Sequence, residues 1–284
     1  MNFCDGTEID GYPGISIVKC LEKYKVNYTG SNSEFYRVTI SKPVIKRNLQ
    51  RDNVPTSKFV EIKKGFENQD IIQAEVVVGS YPMILKPAIS YASISISNDS
   101  VVHSRQEALN HALKIQDANP DGIFIEQFLA GQEFTVLLTG DVKSGVKAYI
   151  PVERVFNKKL TTFERILAFD QTWAGCDDGN QGSERAVPKD GKFYWYEAAP
   201  EFMQEKLKDI AKQAYIACGG SGYGRVDIRS TSRDSLDFVV LEVNANCGLS
   251  FIPGFSSTGE IFKIGQVSPV EFIKELVSYA CNRS

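Results

Sequence analysis

The chain has 284 residues, 43% apolar and 24% charged, the balance of a folded globular protein and not of a disordered or collagen-like one. Its 32 lysines and arginines face 35 acids for a net charge of −3, which leaves no basic excess for a run of phosphates and argues against a nucleic-acid partner. No apolar run reaches the ~20 residues of a membrane helix, and the start Met1-Asn2-Phe3-Cys4-Asp5 lacks the regions of a signal peptide, so a cytoplasmic protein with no membrane partner is expected.

In chain order, the first ~35 residues read as a strand or loop, a helix from about Pro13 to Tyr24, and a turn at Thr29-Gly30-Ser31. Ser41 is placed to cap a helix running to about Arg51, on which Lys42 and Lys46, four apart, share a face and can point at one anion. Asn53-Val54-Pro55 ends that helix, because the residue before proline resists the helical region. Apolar, β-branched runs at 59–62, 74–78 and 83–86, and the serine-rich segment 89–100, read as sheet strands. Ser104-Arg-Gln-Glu107 is a capping-box signature opening a helix to about Gln116, and 123–129 reads as a buried strand. Strands are expected near 133–139 and 147–155, then a polar, glycine-bearing excursion over 157–192 that reads as an exposed loop or flap. Phe202, Leu207, Ile210, Ala214 and Ala217 keep helical spacing, with Gly219-Gly220 as a left-handed cap. A hairpin-like pair follows at 223–229 and 236–243, and a last helix opens with Ser268, Pro269 and Glu271.

The six cysteines form no C-x-x-C pair and meet no histidine at metal-ligand spacing, so they read as reduced, packed thiols. With only His103 and His111 in the chain, chemistry built on a histidine base has few candidates, and carboxylates, lysine, arginine and metal are left.

The strongest constellation is Gly224-Arg225-Val226-Asp227-Ile228 with Leu241-Glu242-Val243-Asn244. Residues two apart share a strand face, so Arg225 goes with Asp227 and Glu242 with Asn244, apolar neighbours filling the other face. If the strands pair antiparallel around Asp234-Ser235 without a bulge, Asp227 faces Glu242 and Arg225 faces Asn244. Two carboxylates and an amide oxygen then converge, an oxygen-only set that suits magnesium; a salt-bridged, solvated hairpin face is the alternative. The stretch Glu126-Gln127-Phe128-Leu129 offers a backbone edge for an adenine, with Glu133 after a glycine turn to accept from ribose hydroxyls, although an ordinary strand-turn-strand has the same look. Lys86, at a strand end before the hydroxyl-rich Ser90-Tyr-Ala-Ser93-Ile-Ser95, can supply charge to a phosphate; a serine-rich edge hairpin is the other reading.

In order, Asn2-Phe-Cys-Asp-Gly6, Tyr28-Thr-Gly-Ser31, Ser41-Lys42 with Lys46, Leu85-Lys86-Pro87, the stretch from Glu126 to Thr135, Gly224 to Asp227, and Leu241 to Asn244 with Cys247-Gly248 resemble the D-alanine–D-alanine ligase-like branch of the ATP-grasp superfamily. The resemblance implies an α+β ATP-grasp fold, with 1–38 as a truncated α/β N-terminal domain, 39–125 as a central subdomain and 126–284 as a C-terminal subdomain. It implies an ATP- and magnesium-dependent ligase, manganese being the substitute ion, that joins a carboxylate of one amino acid to the amine of another through an acyl phosphate. Under the resemblance Lys42, Lys86 and the loop serine Ser93 contact ATP phosphates, and Glu126, Gln127 and Leu129 form the adenine hinge with Glu133 at the ribose. Asp227, Glu242 and Asn244 are then the metal ligands, and Arg225 with the Gly248 amide stabilises the oxyanion. The sequence departs from the family at Tyr91 and Ser95, where the phosphate loop has glycines, and at Thr172, where the flap has a lysine before its aromatic residue. These departures support a rival reading as an ATP-binding scaffold without turnover; a ligase acting on a larger acid is the other rival. A truncated sheet with an open edge leads to a homodimer as the expected assembly.

Overall fold

The computed structural model describes residues 1–4, 6, 13–90, 95–119, 121–167, 193–252 and 256–282. The elements begin with helices α1 (Ile15–Lys23), α2 (Ser33–Thr39) and α3 (Lys42–Arg51), strand β1 (Phe59–Ile62), helix α4 (Asn68–Val78), strands β2 (Met83–Pro87) and β3 (Val101–Val102), and helix α5 (Arg105–Ala118). Strands β4 (Ile123–Gln127), β5 (Glu133–Asp141), β6 (Gly145–Ala148), β7 (Val152–Phe156) and β8 (Tyr194–Ala198) precede helix α6 (Glu201–Ala217). Strands β9 (Tyr223–Ser230) and β10 (Phe238–Ala245) and helices α7 (Ser257–Ile264) and α8 (Pro269–Cys281) complete the chain. Among the described residues no helix is long and apolar enough to cross a membrane.

Backbone contacts divide the chain into two units, one of Met1–Thr56, Gly131–Val155 and Tyr196–Ser284, the other of Ser57–Ala130 and Phe156–Trp195. The boundaries expected at 38/39 and 125/126 are not the boundaries of these units. The reason is packing: Phe35, Tyr36, Ile45, Leu49 and Val54 share one core with Phe134, Val226, Val240 and Val243.

In the second unit the four-stranded sheet has the order β1-β4-β2-β3. Ile71, Ala74 and Val78 of α4 and Ala108, Ala112 and Ile115 of α5 pack against Leu85, Ile123 and Ile125. Residues 74–78, expected as a strand from their β-branched run, are the last turns of α4. A capping box between Glu67 and Asp70 starts that helix, and the buried residues follow helical spacing, so burial overrides strand propensity. The described part of the serine-rich segment is likewise not a strand: Asn98–Ser100 is a turn of 3₁₀ helix, and β3 begins only at Val101. Tyr91, Ser93 and the flap residues 168–192, with Thr172, lie outside the described residues.

The first unit is built on a six-stranded sheet ordered β10-β9-β5-β7-β8, with β6 pairing along β5 beside β7. The single strand expected over 147–155 is thus two, joined through Tyr149 to Pro151. One face, carrying Phe134, Val136, Leu138, Val226, Ile228 and Val240, packs on Leu207, Ala211 and Ala214 of α6 and on α2 and α3. Each such valine, leucine, isoleucine or phenylalanine side chain taken from water contributes about 1.5–3 kcal/mol. The helix ends as expected: Gly219 has φ +79°, and the Gly220 amide donates to Tyr215 O at 2.8 Å. On the opposite face Leu137, Tyr149, Val152 and Tyr223 are covered by Ile261 and Phe262 of α7 and Phe272 and Leu276 of α8. That cover stops short of the rest of the face, which is polar.

Candidate functional site

Strand alternation puts Glu133 and Thr135 of β5, Arg225, Asp227 and Arg229 of β9, and Glu242 and Asn244 of β10 on this polar face. The register brings Asp227 opposite Glu242 on one side and Thr135 on the other, and Arg225 opposite Asn244. The pairing read from the sequence is the observed one, but not by the expected route. A bulge lies between Val240 and Glu242, with Leu241 as the extra residue. The expected unbulged hairpin is corrected on that point.

Asp227 is buried and accepts from three partners: Thr135 Oγ1 at 2.6 Å, the Arg225 guanidinium at 3.0 Å and Asn244 Nδ2 at 3.1 Å. Burial alone would push its pKa up, but the charges of Arg225 and Arg154 and the Thr135 hydrogen bond outweigh burial and hold it below the usual carboxylate range. The same pair raises the Arg225 pKa against the opposing effect of burial. Arg225 also donates to Ser257 Oγ at 3.3 Å, at the start of α7, where the next residue, Thr258, holds Gly248 O at 3.0 Å. Arg225 and the exposed Gly248, the two residues expected at an oxyanion, are therefore tied to neighbouring positions of one helix N-terminus.

Glu242 receives the Lys42 ammonium at 3.5 Å; its side chain is 32% exposed against 9% for Lys42, so the carboxylate can be reached from solvent. Lys46, expected beside Lys42 on one anion, is not there. It is fully buried and donates to the main-chain oxygen of Val240 at 2.9 Å.

One row further along the sheet, Glu133 stands between Arg154 of β7 and Arg229 of β9. Arg154 Nη1 donates to one of its oxygens and Arg229 Nη1 lies 3.5 Å from the other, while Tyr196 Oη accepts from Arg154 at 2.9 Å. A ribose hydroxyl at Glu133 would thus compete with two guanidinium groups for a buried carboxylate. Arg154 and Arg229 are contacts that sequence reading missed. Arg229 continues the Arg225, Asp227 alternation and was open to the same argument; nothing local marks Arg154.

In the second unit, Lys86 on β2 and Glu126 on β4 form an ion pair at 2.7 Å, and Ser57 Oγ donates to the other Glu126 oxygen. Glu126 is buried and lies on a strand paired on both sides, with Phe59 and with Ile84, so its backbone serves the sheet. The Gln127 amide donates to Lys58 O at 3.1 Å and the Phe128 amide to Pro82 O at 3.3 Å. The main-chain edge expected to read an adenine is thereby engaged at residues 126–128, the physical reason being that β4 is an interior strand. Leu129 is buried just beyond it, and Ser93 lies outside the described residues.

The donor set on the first unit fits a hard divalent cation. Asp227 and Glu242 are opposed carboxylates, an arrangement that repels unless a cation stands nearby, and Arg225 and Lys42 now serve them. A half-turn of the Asn244 amide exchanges its nitrogen for an oxygen donor. Among the described residues no three His, Cys, Asp or Glu side chains gather to hold a metal, so a site here takes two carboxylates and an amide.

The family model described as D-ala D-ala ligase C-terminus matches residues 49–278. The chain is 25% identical over 231 residues to a D-alanine--D-alanine ligase of Verminephrobacter eiseniae, covering 81% of this chain and 61% of that protein. It thus spans less than two thirds of that relative's length. Among solved structures, a D-alanine--D-alanine ligase of Bacillus anthracis complexed with ATP superposes with TM-score 0.67 at 16% identity, covering 95% of this chain and 76% of that one. The VanG D-Ala:D-Ser ligase of Enterococcus faecalis gives 0.71 at 15% identity, covering 93% and 68%. The fold is that of these ligases, the α+β ATP-grasp fold.

Proposed function

The chain belongs to the D-alanine–D-alanine ligase C-terminal family, and on that premise we propose that it is an ATP- and magnesium-dependent carboxylate–amine ligase that joins amino acids. The observation that carries the reading is the cross-strand pairing of Asp227 with Glu242 beside Arg225 and Asn244 on a polar sheet face, with Asp227 buried and Glu242 partly open to solvent.

In the proposed reaction an oxygen of the first amino acid's carboxylate attacks the γ-phosphorus of ATP, the bond to ADP breaks, and an acyl phosphate forms. The amine of the second amino acid then attacks the acyl carbon, loses a proton and expels phosphate. Asp227, Glu242 and Asn244 would hold magnesium, which when bound spreads the charge of the transferring phosphoryl group. Lys42, within reach of Glu242, would add a second positive charge toward the phosphates. Arg225, fixed by Asp227 and Ser257, would face the oxygen that becomes negative as the amine adds, together with the Gly248 amide. Lys86, Ser93, Glu126, Gln127, Leu129 and Glu133 are proposed as nucleotide contacts, Glu133 through its side chain at the ribose. The cysteines among the described residues are free, which supports a cytoplasmic setting, and the homodimer stays a proposal resting on sheet edges.

Phosphate release from magnesium-ATP, measured across a panel of D- and L-amino acids that includes D-alanine and D-serine, tests the reading. Release that requires amino acid and disappears in Glu242→Gln is expected. ATP binding without release under any amino acid would replace the ligase with a nucleotide-binding scaffold.

A further inference from the structure

Lys46 has no place in the reaction above, yet it is among the largest fully buried side chains of the protein. An ammonium group taken from water is costly unless its hydrogen bonds are replaced, and here one goes to a main-chain carbonyl, Val240 O, at 2.9 Å. That oxygen also accepts from Thr56 Oγ1 at 3.2 Å, and the Val240 amide donates to Pro55 O at 2.9 Å. Both backbone groups of Val240 are thus held from the open side of β10, at the residue where the bulge begins.

The bulge decides where Glu242 points. Up to Val240 the pairing runs Phe238 with Ser230, Val239 with Arg229 and Val240 with Ile228; beyond it, Glu242 pairs with Asp227. Had the first register continued, Leu241 would stand opposite Asp227 and Glu242 opposite Val226, whose side chain lies in the apolar core. A shift of one residue exchanges the two faces of a strand, so the bulge is what brings a carboxylate, and not a leucine, next to Asp227.

The spacing on α3 matches this need. Lys42 and Lys46 are one helical turn apart, about 6 Å along the axis, and Glu242 and Val240 flank the extra residue Leu241 of the bulge. Lys42 reaches the carboxylate and Lys46 the carbonyl on the far side of Leu241. We propose that Lys46 is a positioning residue that fixes the β10 bulge and so aims the Glu242 carboxylate at the metal position. The metal role in this assignment rests on the reading of Glu242 given above; the hold on the bulge does not.

The test compares the full-length wild type with Lys46→Met, which keeps most of the packing, and Lys46→Arg, which keeps a donor. Two quantities are read: amide hydrogen exchange in the peptide spanning 238–245 without metal, and the magnesium concentration that half-saturates ATP binding. In Lys46→Met the exchange should speed up at least tenfold and the magnesium midpoint rise at least tenfold, with ATP affinity recovering at saturating magnesium and Lys46→Arg restoring much of both. A loss of ATP affinity that magnesium does not rescue, with exchange unchanged, would make Lys46 a phosphate contact and overturn the proposal. Unchanged values of both would overturn it too. Should the wild type bind ATP without magnesium dependence, the metal role falls with the ligase reading, while the exchange result still judges the hold on the bulge. If Lys46→Met does not fold, Thr56→Val removes the second donor to the same carbonyl; a smaller shift of the same sign supports the assignment and no shift refutes it.

Discussion

Replacing Asp227 by asparagine separates the ion-pair account of the polar face from the metal account. The substitution keeps volume and the acceptor for Thr135, but removes the charge that Arg225 faces at 3.0 Å. Leaving one partner of a buried pair uncompensated costs about 3–5 kcal/mol. Relief of the opposition between Asp227 and Glu242 returns about 0.2–1 kcal/mol, and the bond from Arg225 to Ser257 retains some of the rest. A net loss of about 2–4 kcal/mol follows for the ligand-free protein, or about 4–16 °C in melting temperature. The pH dependence has a fixed sign. Because the folded-state pKa of Asp227 is depressed, its contribution is present above about pH 4, the unfolded carboxylate range, and is lost as pH falls through the lower folded value. Asp227→Asn should lack that acid-side component. Magnesium-ATP at a hundred times its dissociation constant should stabilise the wild type by about 2.7 kcal/mol and leave Asp227→Asn nearly unmoved. Urea unfolding with and without magnesium-ATP, between pH 3 and 8, reads both effects. A ligand-free variant as stable as the wild type would refute the ion-pair account, and an undiminished ligand shift would refute the metal account.

Glu133→Gln leaves two buried guanidinium groups, Arg154 and Arg229, with one neutral oxygen between them, and a loss of about 3–5 kcal/mol is expected in urea unfolding. A change of less than 1 kcal/mol, close to the scatter of an ordinary surface substitution of about 0.5 kcal/mol, would show that Glu133 is not the keystone of that row. Burial, aided by the charge of Lys114 and opposed by Asp99, pushes the His111 pKa down. The unfolded chain then takes up the proton first, so this contribution to stability is constant above pH ~6.5 and falls as the pH drops below it. His111→Gln, which can keep a bond to Ser100, should flatten the stability profile between pH 5 and 6.5; an unchanged profile there would contradict the burial argument.

The most legible region of the candidate site was the one written in local alternation. Arg225 with Asp227 and Glu242 with Asn244 are two apart, a strand has period two, and the pairing across β9 and β10 followed. The bulge at Leu241 was not legible, because it is imposed by groups far along the chain: the Lys46 ammonium, Thr56 and Pro55. The partner of Lys46 is illegible for the same reason, since helical spacing tells which face a lysine occupies and not whether a carbonyl or an anion awaits it. Glu133 is the mirror case. Its sequence position suggests an acceptor for a ligand, and only the sheet order reveals Arg154 on one side and Arg229 on the other. Among the elements, helices opened by strong caps, such as α5 and α8, and the glycine-ended α6 were readable from their ends. Residue type in the run at 74–78 points to a strand, whereas the decisive signal is the spacing of Ile71, Ala74 and Val78. The short helices α2 and α7 carry too few turns for periodicity to speak, and only Asn32 and Ser256, which cap them by accepting from Phe35 and Gly259, mark where they start.

The ligase proposal turns on a bond between a substrate carboxylate oxygen and the γ-phosphorus of ATP, and oxygen labelling follows that atom. With an amino acid carrying ¹⁸O in its carboxylate, magnesium-ATP and the second amino acid, each phosphate released should contain one labelled oxygen, and a labelled-substrate dipeptide should accumulate in equal amount. Phosphate free of label, the signature of water attacking ATP in place of the carboxylate, would contradict the account.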